Sequence, residues 1–174
     1  MVMNGQLVRT GERYQLRFVR HLAHPPDKVW RALTEAEHLE AWFPTTIEGE
    51  RRAGAALRFA FRDNDAPPIE GTMLSYDPPR LLELRWGNDE TLRFELAPEA
   101  DGTRTLLTFS TTFAELGKAA RDAAGWHVCL DALAANLDGR TLDGQPRERW
   151  NAVHQSYVDQ LGPEAATIGP PSGA

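Results

Sequence analysis

The chain has 174 residues, 41% of them hydrophobic and 25% charged, and its formal net charge is −6. These values are typical of one globular domain with a core of its own, and no apolar run approaches the length of a membrane span. An acidic chain lacks the basic face that binds phosphates, so we expect neither a nucleic-acid nor a membrane partner. The single cysteine, Cys129, and the lack of a secretion signal in residues 1–13 favour a cytoplasmic location.

The first predicted elements are a strand and a short helix. Residues 14–22 alternate between apolar and polar side chains, which is typical of a strand. Two prolines, at 25 and 26, suit the first turn of a helix, and Val29, Trp30 and Leu33 follow at helical spacing.

A second short helix is predicted directly afterwards. Thr34 and Glu37 have the spacing of a capping box, in which each side chain bonds to the other residue's backbone N–H. The apolar residues that follow, Leu39, Trp42 and Phe43, would form the buried side of this helix.

Strand patterns dominate from residue 45 to residue 113. Apolar residues alternate with charged ones in three segments, which contain Leu57/Phe59/Phe61, Leu82/Leu84/Trp86 and Leu92/Phe94/Leu96. Such alternation indicates antiparallel strands with one buried face, and a slip of one residue would bury Arg58, Arg85 and Arg93. A last strand is predicted over residues 103–113, and we expect six strands in this region and about seven in the chain.

A long helix is predicted from about residue 118 to residue 138. Trp126, Leu130, Leu133 and Leu137 form one continuous apolar stripe, and Gly139 is placed for a C-terminal cap. The simplest way to bury this stripe is against the apolar face of the sheet, because that is the other large apolar surface. The sequence therefore predicts an α+β fold in which a curved antiparallel sheet wraps around the long helix.

The C-terminal region contains a further amphipathic helix, predicted over residues 146–161. Its apolar side carries Trp150, Val153, Tyr157 and Leu161, which would either pack back on the domain or form the seam of a dimer. The chain is therefore expected to be a monomer or a homodimer. We expect one domain over residues 1–162 and a mobile Pro/Gly-rich tail over residues 163–174.

Four motifs occur in this order along the chain: the run from Pro25 to Thr34, the run from Leu39 to Phe43, Asp77 to Leu81 before the strand ending at Trp86, and Gly125–Trp126. With these motifs the chain resembles, over roughly residues 14–161, the heat-shock-protein-90 ATPase activator-like branch of the START-like (SRPBCC) superfamily. The resemblance implies the helix-grip fold of that superfamily. Relatives in the superfamily bind lipids, hormones or polyketides, and some are aromatases or cyclases.

The aromatic side chains of the sheet and the long helix are expected to converge. They would either fill an ordinary core or line a cavity that holds a small ligand, and the sequence leaves both possibilities open. If a cavity exists, the predicted ligand-binding residues are Trp30, Phe59, Phe61, Met73, Leu84, Trp86, Phe94, Phe109, Trp126, His127 and Leu130.

Polar candidates for chemistry are few. His127 and Asp131 can meet on one face of the long helix, either at the edge of a pocket or at a solvated helix edge. Cys129 points roughly 200° away from His127, so we interpret it as a small buried hydrophobe and not as a nucleophile. The five histidines form no metal-ligand spacing and no nucleotide-binding motif occurs, so we predict no metal, no cofactor and no catalytic residue.

Three functions are compatible with these patterns. The first is a binding module that holds a small hydrophobic molecule between the sheet and the long helix, which the lack of a complete catalytic set favours. The second is an enzyme of the cyclase, dehydratase or aromatase type, with His127, Asp131 or Tyr76 doing acid–base work. The third is a co-chaperone-like interaction module, for which the proteins that name the branch use an additional N-terminal domain. We expect no room for that domain in this chain.

Overall fold

The computed structural model describes residues 4–169, and at its centre is a seven-stranded antiparallel sheet with the strand order β1-β2-β7-β6-β5-β4-β3. The strands are β1 (Gln6–Thr10), β2 (Arg13–Leu22), β3 (Ala56–Phe59), β4 (Ile69–Asp77), β5 (Leu81–Trp86), β6 (Glu90–Glu99) and β7 (Arg104–Phe113). Neighbouring strands pair antiparallel throughout, so the predicted fold class and strand number are confirmed.

The distribution of the strands differs from the predicted one. Two strands, and not one, precede the short helices, and five, and not six, follow them. The additional strand β1 was missed because most of its side chains are exposed, and it therefore has no apolar alternation. Residues 45–48, where strand patterns were expected to begin, form only isolated bridges, Thr45 to Phe61 and Glu48 to Arg58.

The predicted inner face of the sheet is confirmed. Leu57, Leu84 and Leu92 are each at most 1% exposed. The arginines between the apolar positions lie on the other face, where Arg93 forms an ion pair with Glu83 on the neighbouring strand at 2.9 Å.

Two short helices, α1 (Pro26–Thr34) and α2 (Ala36–Leu39), lie between β2 and β3. The predicted capping box is wrong: α2 has Glu35 at its N-cap with no side-chain cap. The Thr34 hydroxyl instead donates a hydrogen bond to the carbonyl of Trp30 at 2.8 Å. A threonine in the last turn of a helix can satisfy its hydroxyl in this way, one turn back in its own helix.

The long helix α3 (Ala119–Leu137) lies on the inner face of the sheet, and Leu130 and Leu133 of the predicted stripe are buried. Gly139 follows it with a φ of +69°. The N–H of Gly139 bonds to the carbonyl of Asn136 at 3.1 Å, and the N–H of Arg140 bonds to the carbonyl of Ala135 at 3.0 Å. These two bonds form a Schellman cap, which requires a residue that tolerates positive φ, so the predicted C-terminal cap is confirmed.

The last helix, α4 (Pro146–Leu161), packs back on α3, with Tyr157 completely buried. The segment expected to begin a mobile tail is instead a 3-10 turn over Pro163–Ala166, in which Ala165 is buried. The N–H of Ile168 then donates a hydrogen bond to the carbonyl of Gly117 at 3.0 Å, which fixes this segment beside the start of α3. Residues 170–174 of the expected tail lie outside the described residues. In the range 4–169, no helix combines the length and the apolar character needed to cross a membrane.

Candidate functional site

Aromatic rings fill the interior between the sheet and the middle of α3. The ring of Phe109 lies 4.7 Å from Phe94, 4.9 Å from Trp126 and 5.9 Å from Phe18, measured between ring centroids. Eight of the predicted ligand-binding residues are buried in this core or around it: Trp30, Phe59, Met73, Leu84, Phe94, Phe109, His127 and Leu130.

An open cleft of about 350 Å³ lies beside this core, between the N-terminal half of α3, the sheet and α4. We call it the aromatic cleft. Its walls are formed by Pro44, Phe61, Ile69, Trp86, Glu90, Lys118, Arg121, Asp122, Gly125, Trp126, Cys129 and Trp150. Three predicted ligand-binding residues, Phe61, Trp86 and Trp126, are among them, and all three are only partly buried.

Buried rings support the two central walls of the aromatic cleft. Trp86 and Trp126 meet edge to face at 6.5 Å and 77°. Behind them, Phe59 lies 4.7 Å from Trp86 and Phe43 lies 5.8 Å from Trp126, and neither phenylalanine lines the cleft. The two tryptophans are therefore held in place from the core side, while part of each indole faces the cleft.

Beside Trp126, α3 contributes two small residues, Gly125 and Cys129, to the wall of the aromatic cleft. Beyond its chain neighbours and the backbone of α3, a Cβ atom added to Gly125 would have only Nε1 of Trp150 within 4 Å, at a distance of 4.0 Å. One turn along the helix, the next wall residue is the small Cys129. Sequence periodicity does not reveal this space, because in the sequence Gly125 is only the residue that precedes the apolar stripe at Trp126.

Charged side chains surround the mouth of the aromatic cleft, and they neutralise one another. Lys118 contacts Glu90 and lies 3.5 Å from Asp122, while Arg121 lies 2.9 Å from Asp122. Two cations and two anions therefore form one connected group with no net charge.

Cys129 lies on α3 and is partly buried in the wall of the aromatic cleft. Burial raises the pKa of its thiol to about 12. The thiolate, which is the nucleophilic form, is therefore essentially absent at neutral pH, and this agrees with the interpretation of Cys129 as a small hydrophobe.

His127 does not line the aromatic cleft. It is only 7% exposed and faces α4, where its Nδ1 lies 2.8 Å from the hydroxyl oxygen of Tyr157. Its Nε2 lies 3.6 Å from a carboxylate oxygen of Asp131, so the predicted i, i+4 pair is present. Because His127 is buried, a solvated helix edge does not describe this position.

Sequence reasoning missed the arginine that completes this polar group. Arg20 occupies an inward position of β2, two residues after Phe18, and is only 8% exposed. Desolvation lowers the pKa of Arg20, and the nearby Asp131 and Tyr157 partly oppose that shift. The signal was present in the sequence, since an arginine at an inward position of a strand breaks the apolar alternation.

Two further places in the chain carry side chains that are suited to acid–base chemistry or metal binding. Tyr76, an acid–base candidate, packs against Trp30 at 5.4 Å, and among residues 4–169 no hydrogen bond or ring contact joins it to His127 or Asp131. At the start of α2, Glu35, Glu37 and His38 place potential metal-ligand atoms within 4.8 Å of one another, but they are mostly exposed and His38 lies 3.6 Å from Glu35. Surface groups of this kind are common without a metal.

The family model described as activator of Hsp90 ATPase homolog 1-like protein matches residues 23–138, which is more than half of the chain. The matched region runs from the residues before α1 to the end of α3, so it includes most of the aromatic cleft. No curated protein matches the chain.

Solved structures of similar fold come from several bacteria. A conserved protein of unknown function from Enterococcus faecalis is 24% identical, covers 90% of each chain and has a TM-score of 0.71. CalU16 from Micromonospora echinospora is 22% identical, with a TM-score of 0.69 over 91% of this chain and 94% of that one. A protein from Bordetella parapertussis is 25% identical, with a TM-score of 0.68 over 92% of both chains. These similarities confirm the helix-grip fold.

Proposed function

We propose that this chain, which belongs to the family of activator of Hsp90 ATPase homolog 1-like proteins, binds a small, uncharged aromatic molecule in the aromatic cleft. The observation that carries the proposal is the cleft of about 350 Å³ whose walls include the partly exposed rings of Trp86, Trp126 and Trp150. Small-ligand sites typically have volumes of roughly 300–1,000 Å³, so this cleft suits a molecule of two fused rings better than a long lipid.

Aromatic walls favour a flat aromatic ligand. Burial of apolar surface contributes roughly 25 cal/mol per Å², and favourable ring–ring geometry adds about 0.5–1.5 kcal/mol per pair. Trp86 and Trp126 are already fixed by the rings behind them, so little side-chain entropy is lost when a ligand packs against them.

The charges at the mouth favour a ligand without a net charge. Lys118, Arg121, Glu90 and Asp122 are already paired with one another. A charged ligand would lose part of its hydration without gaining an unpaired counter-charge, whereas an uncharged ligand avoids that cost.

Two probes of the same shape test this charge preference. We expect isothermal titration calorimetry at pH 7 to show binding of 2-naphthol and at least about tenfold weaker binding of 2-naphthoate, a difference of about 1.4 kcal/mol. Tighter binding of the naphthoate would overturn the charge argument, and the absence of binding by both probes would overturn the proposed function.

The location of the site is tested by two substitutions at one residue. Gly125→Leu would place a side chain in the open space of the cleft, so we expect it to weaken 2-naphthol binding by at least about tenfold. Gly125→Ala, the matched control, adds one methyl group and should stay within about threefold of the unsubstituted protein. Circular dichroism and thermal melts establish that both variants fold. If Gly125→Leu bound the probe normally, the ligand would not occupy this cleft.

The interaction-module alternative receives less support. Docking surfaces for other proteins usually expose a contiguous apolar patch. In the described part of the chain, Val8 is the only large hydrophobic residue that is exposed, at 43%.

A further inference from the structure

We propose that the contact between His127 on α3 and Tyr157 on α4 is a pH-sensitive latch, which holds α4 in place while His127 is neutral. Protonation of His127 in mildly acidic solution then loosens α4, and with it the wall of the aromatic cleft that carries Trp150. The latch itself depends only on contacts within the chain. Its effect on a ligand rests on the proposed function.

Three parts of the chain meet at the hydroxyl group of Tyr157. Tyr157 lies on α4 and is completely buried. Its oxygen accepts a hydrogen bond from the backbone N–H of Gly5 at 2.7 Å and lies 2.8 Å from Nδ1 of His127 on α3. A second bond between the same parts runs from Nε2 of Gln160 to the carbonyl of Gly5 at 2.9 Å. This group of contacts therefore holds α4 to both α3 and the N-terminal segment.

Gly5 reaches Tyr157 only because it has no side chain. A Cβ atom at this position would lie 2.6 Å from two ring carbons of Phe18. Such a distance is well inside van der Waals contact, so the close approach of the Gly5 backbone to the ring of Phe18 requires glycine.

When His127 is neutral, the hydrogens of the Tyr157 hydroxyl, the Gly5 N–H and the His127 ring each point to an acceptor. With its proton on Nε2, facing Asp131, His127 accepts the Tyr157 O–H at Nδ1, while the tyrosine oxygen accepts the N–H of Gly5. A proton added to Nδ1 turns this acceptor into a donor. The tyrosine oxygen would then face two donors, and its own hydrogen would lose its acceptor.

Within residues 4–169, the charged and titratable groups that face His127 are Arg20 from β2, Asp131 from α3 and Tyr157 from α4. Desolvation lowers the pKa of His127, Arg20 lowers it further, and Asp131 opposes the shift. The folded protein therefore binds fewer protons at this site than the unfolded chain. The stabilisation is present above the unfolded pKa of about 6.5 and decreases as the pH falls below that value.

Loosening of α4 would reach the aromatic cleft through Trp150. Trp150 and Tyr157 are seven residues apart on α4, which is about two turns, so they lie on the same side of the helix. Tyr157 anchors that side to α3, and Trp150 forms the wall of the cleft opposite Gly125.

The effect of His127 on pH dependence must be distinguished from that of a second histidine, His154, which lies on α4. His154 stacks on Trp150 at 4.5 Å and 17°, and burial lowers its pKa as well. It is therefore the matched control for a histidine substitution.

Hydrogen–deuterium exchange tests the latch without a ligand. Amide protection in α4, normalised to α3, should fall by about two- to twelvefold between pH 7.5 and pH 5.5, the range expected for one lost hydrogen bond. His127→Asn places an amide oxygen near the position of Nδ1 and does not titrate, so the fall should disappear. His154→Asn should leave the fall in place. The latch is overturned if the unsubstituted protein shows no fall, if the fall persists in His127→Asn, or if it disappears in His154→Asn.

A second variant keeps the test decisive if His127→Asn does not fold. Tyr157→Phe removes the hydroxyl group, so α4 should be less protected at both pH values and the ratio between them should approach one. A ratio unchanged from that of the unsubstituted protein would overturn the latch.

Binding of 2-naphthol at the same two pH values separates the latch from the proposed function. Weaker binding at pH 5.5, together with the fall in α4 protection, supports both. A fall in α4 protection with no binding at either pH overturns the proposed function and leaves the latch standing. Binding together with pH-independent protection of α4 overturns the latch alone.

Discussion

Two regions beneath α3 have similar aromatic content but differ in packing. Around Phe94 and Phe109 the interior is sealed, and α3 packs the ring of Trp126 against Phe109 there, at 4.9 Å between centroids. At the aromatic cleft the sheet again supplies large rings, but α3 contributes Gly125. Aromatic residues alone therefore do not create a cavity. At the aromatic cleft, α3 contributes the small residues Gly125 and Cys129 beside Trp126, and the sheet rings of Phe61 and Trp86 are only partly buried.

The largest expected effect separates these two regions by their packing energies. Phe109→Ala should destabilise the protein by about 3–5 kcal/mol, because it removes a fully buried ring that contacts three others. Phe61→Ala in the wall of the aromatic cleft should cost less than about 2 kcal/mol, because that ring is partly exposed already. Urea unfolding of both variants measures the difference. Equal costs would mean that the cleft is packed as tightly as the core.

A smaller effect is expected from the polar contact at Tyr157, which joins α4 to α3 and to the N-terminal segment. Tyr157→Phe should destabilise the protein by about 1–3 kcal/mol, because Gly5 and His127 would lose their buried partner. Tyr14→Phe is the control, since Tyr14 is partly exposed and its hydroxyl has no hydrogen-bond partner within residues 4–169; its cost should be below about 0.5 kcal/mol. Thermal melts compare the two variants. Similar costs would show that the Tyr157 hydroxyl does not stabilise the docking of α4.

Periodicity predicted the parts of the fold in which burial follows a regular pattern. The inner face of the sheet and the extents of α3 and α4 could all be predicted, because one side of each element is apolar and the other is polar. β1 could not be predicted, because an edge strand whose side chains are mostly exposed carries no such pattern. The end of α1 was misread because Thr34 bonds within its own helix.

The site was less predictable than the fold, since it depends on contacts between distant elements. Periodicity correctly marked Phe61, Trp86 and Trp126 as inward-facing, but it could not distinguish them from Phe94 and Phe109, which are sealed. What separates the two groups is how completely the other elements of the fold cover each ring, and a single sequence does not specify that packing. The buried group of Arg20, His127 and Tyr157 likewise joins β2, α3 and α4, over more than 130 residues of chain.

The smallest expected effect tests the open space beside Gly125 directly. Gly125 lies in the interior of α3, where glycine is about 0.8–1.0 kcal/mol less favourable than alanine. A Cβ atom there would meet only the Nε1 atom of Trp150, at 4.0 Å, so Gly125→Ala should recover most of that difference. In a chain of this size the melting temperature should rise by about 2–4 °C.

Gly5→Ala is the contrasting control: it should lower the melting temperature, because its Cβ would collide with Phe18. If Gly125→Ala lowered the melting temperature instead, Trp150 and α4 would lie closer to α3 than the structure shows. The aromatic cleft would then be closed in solution.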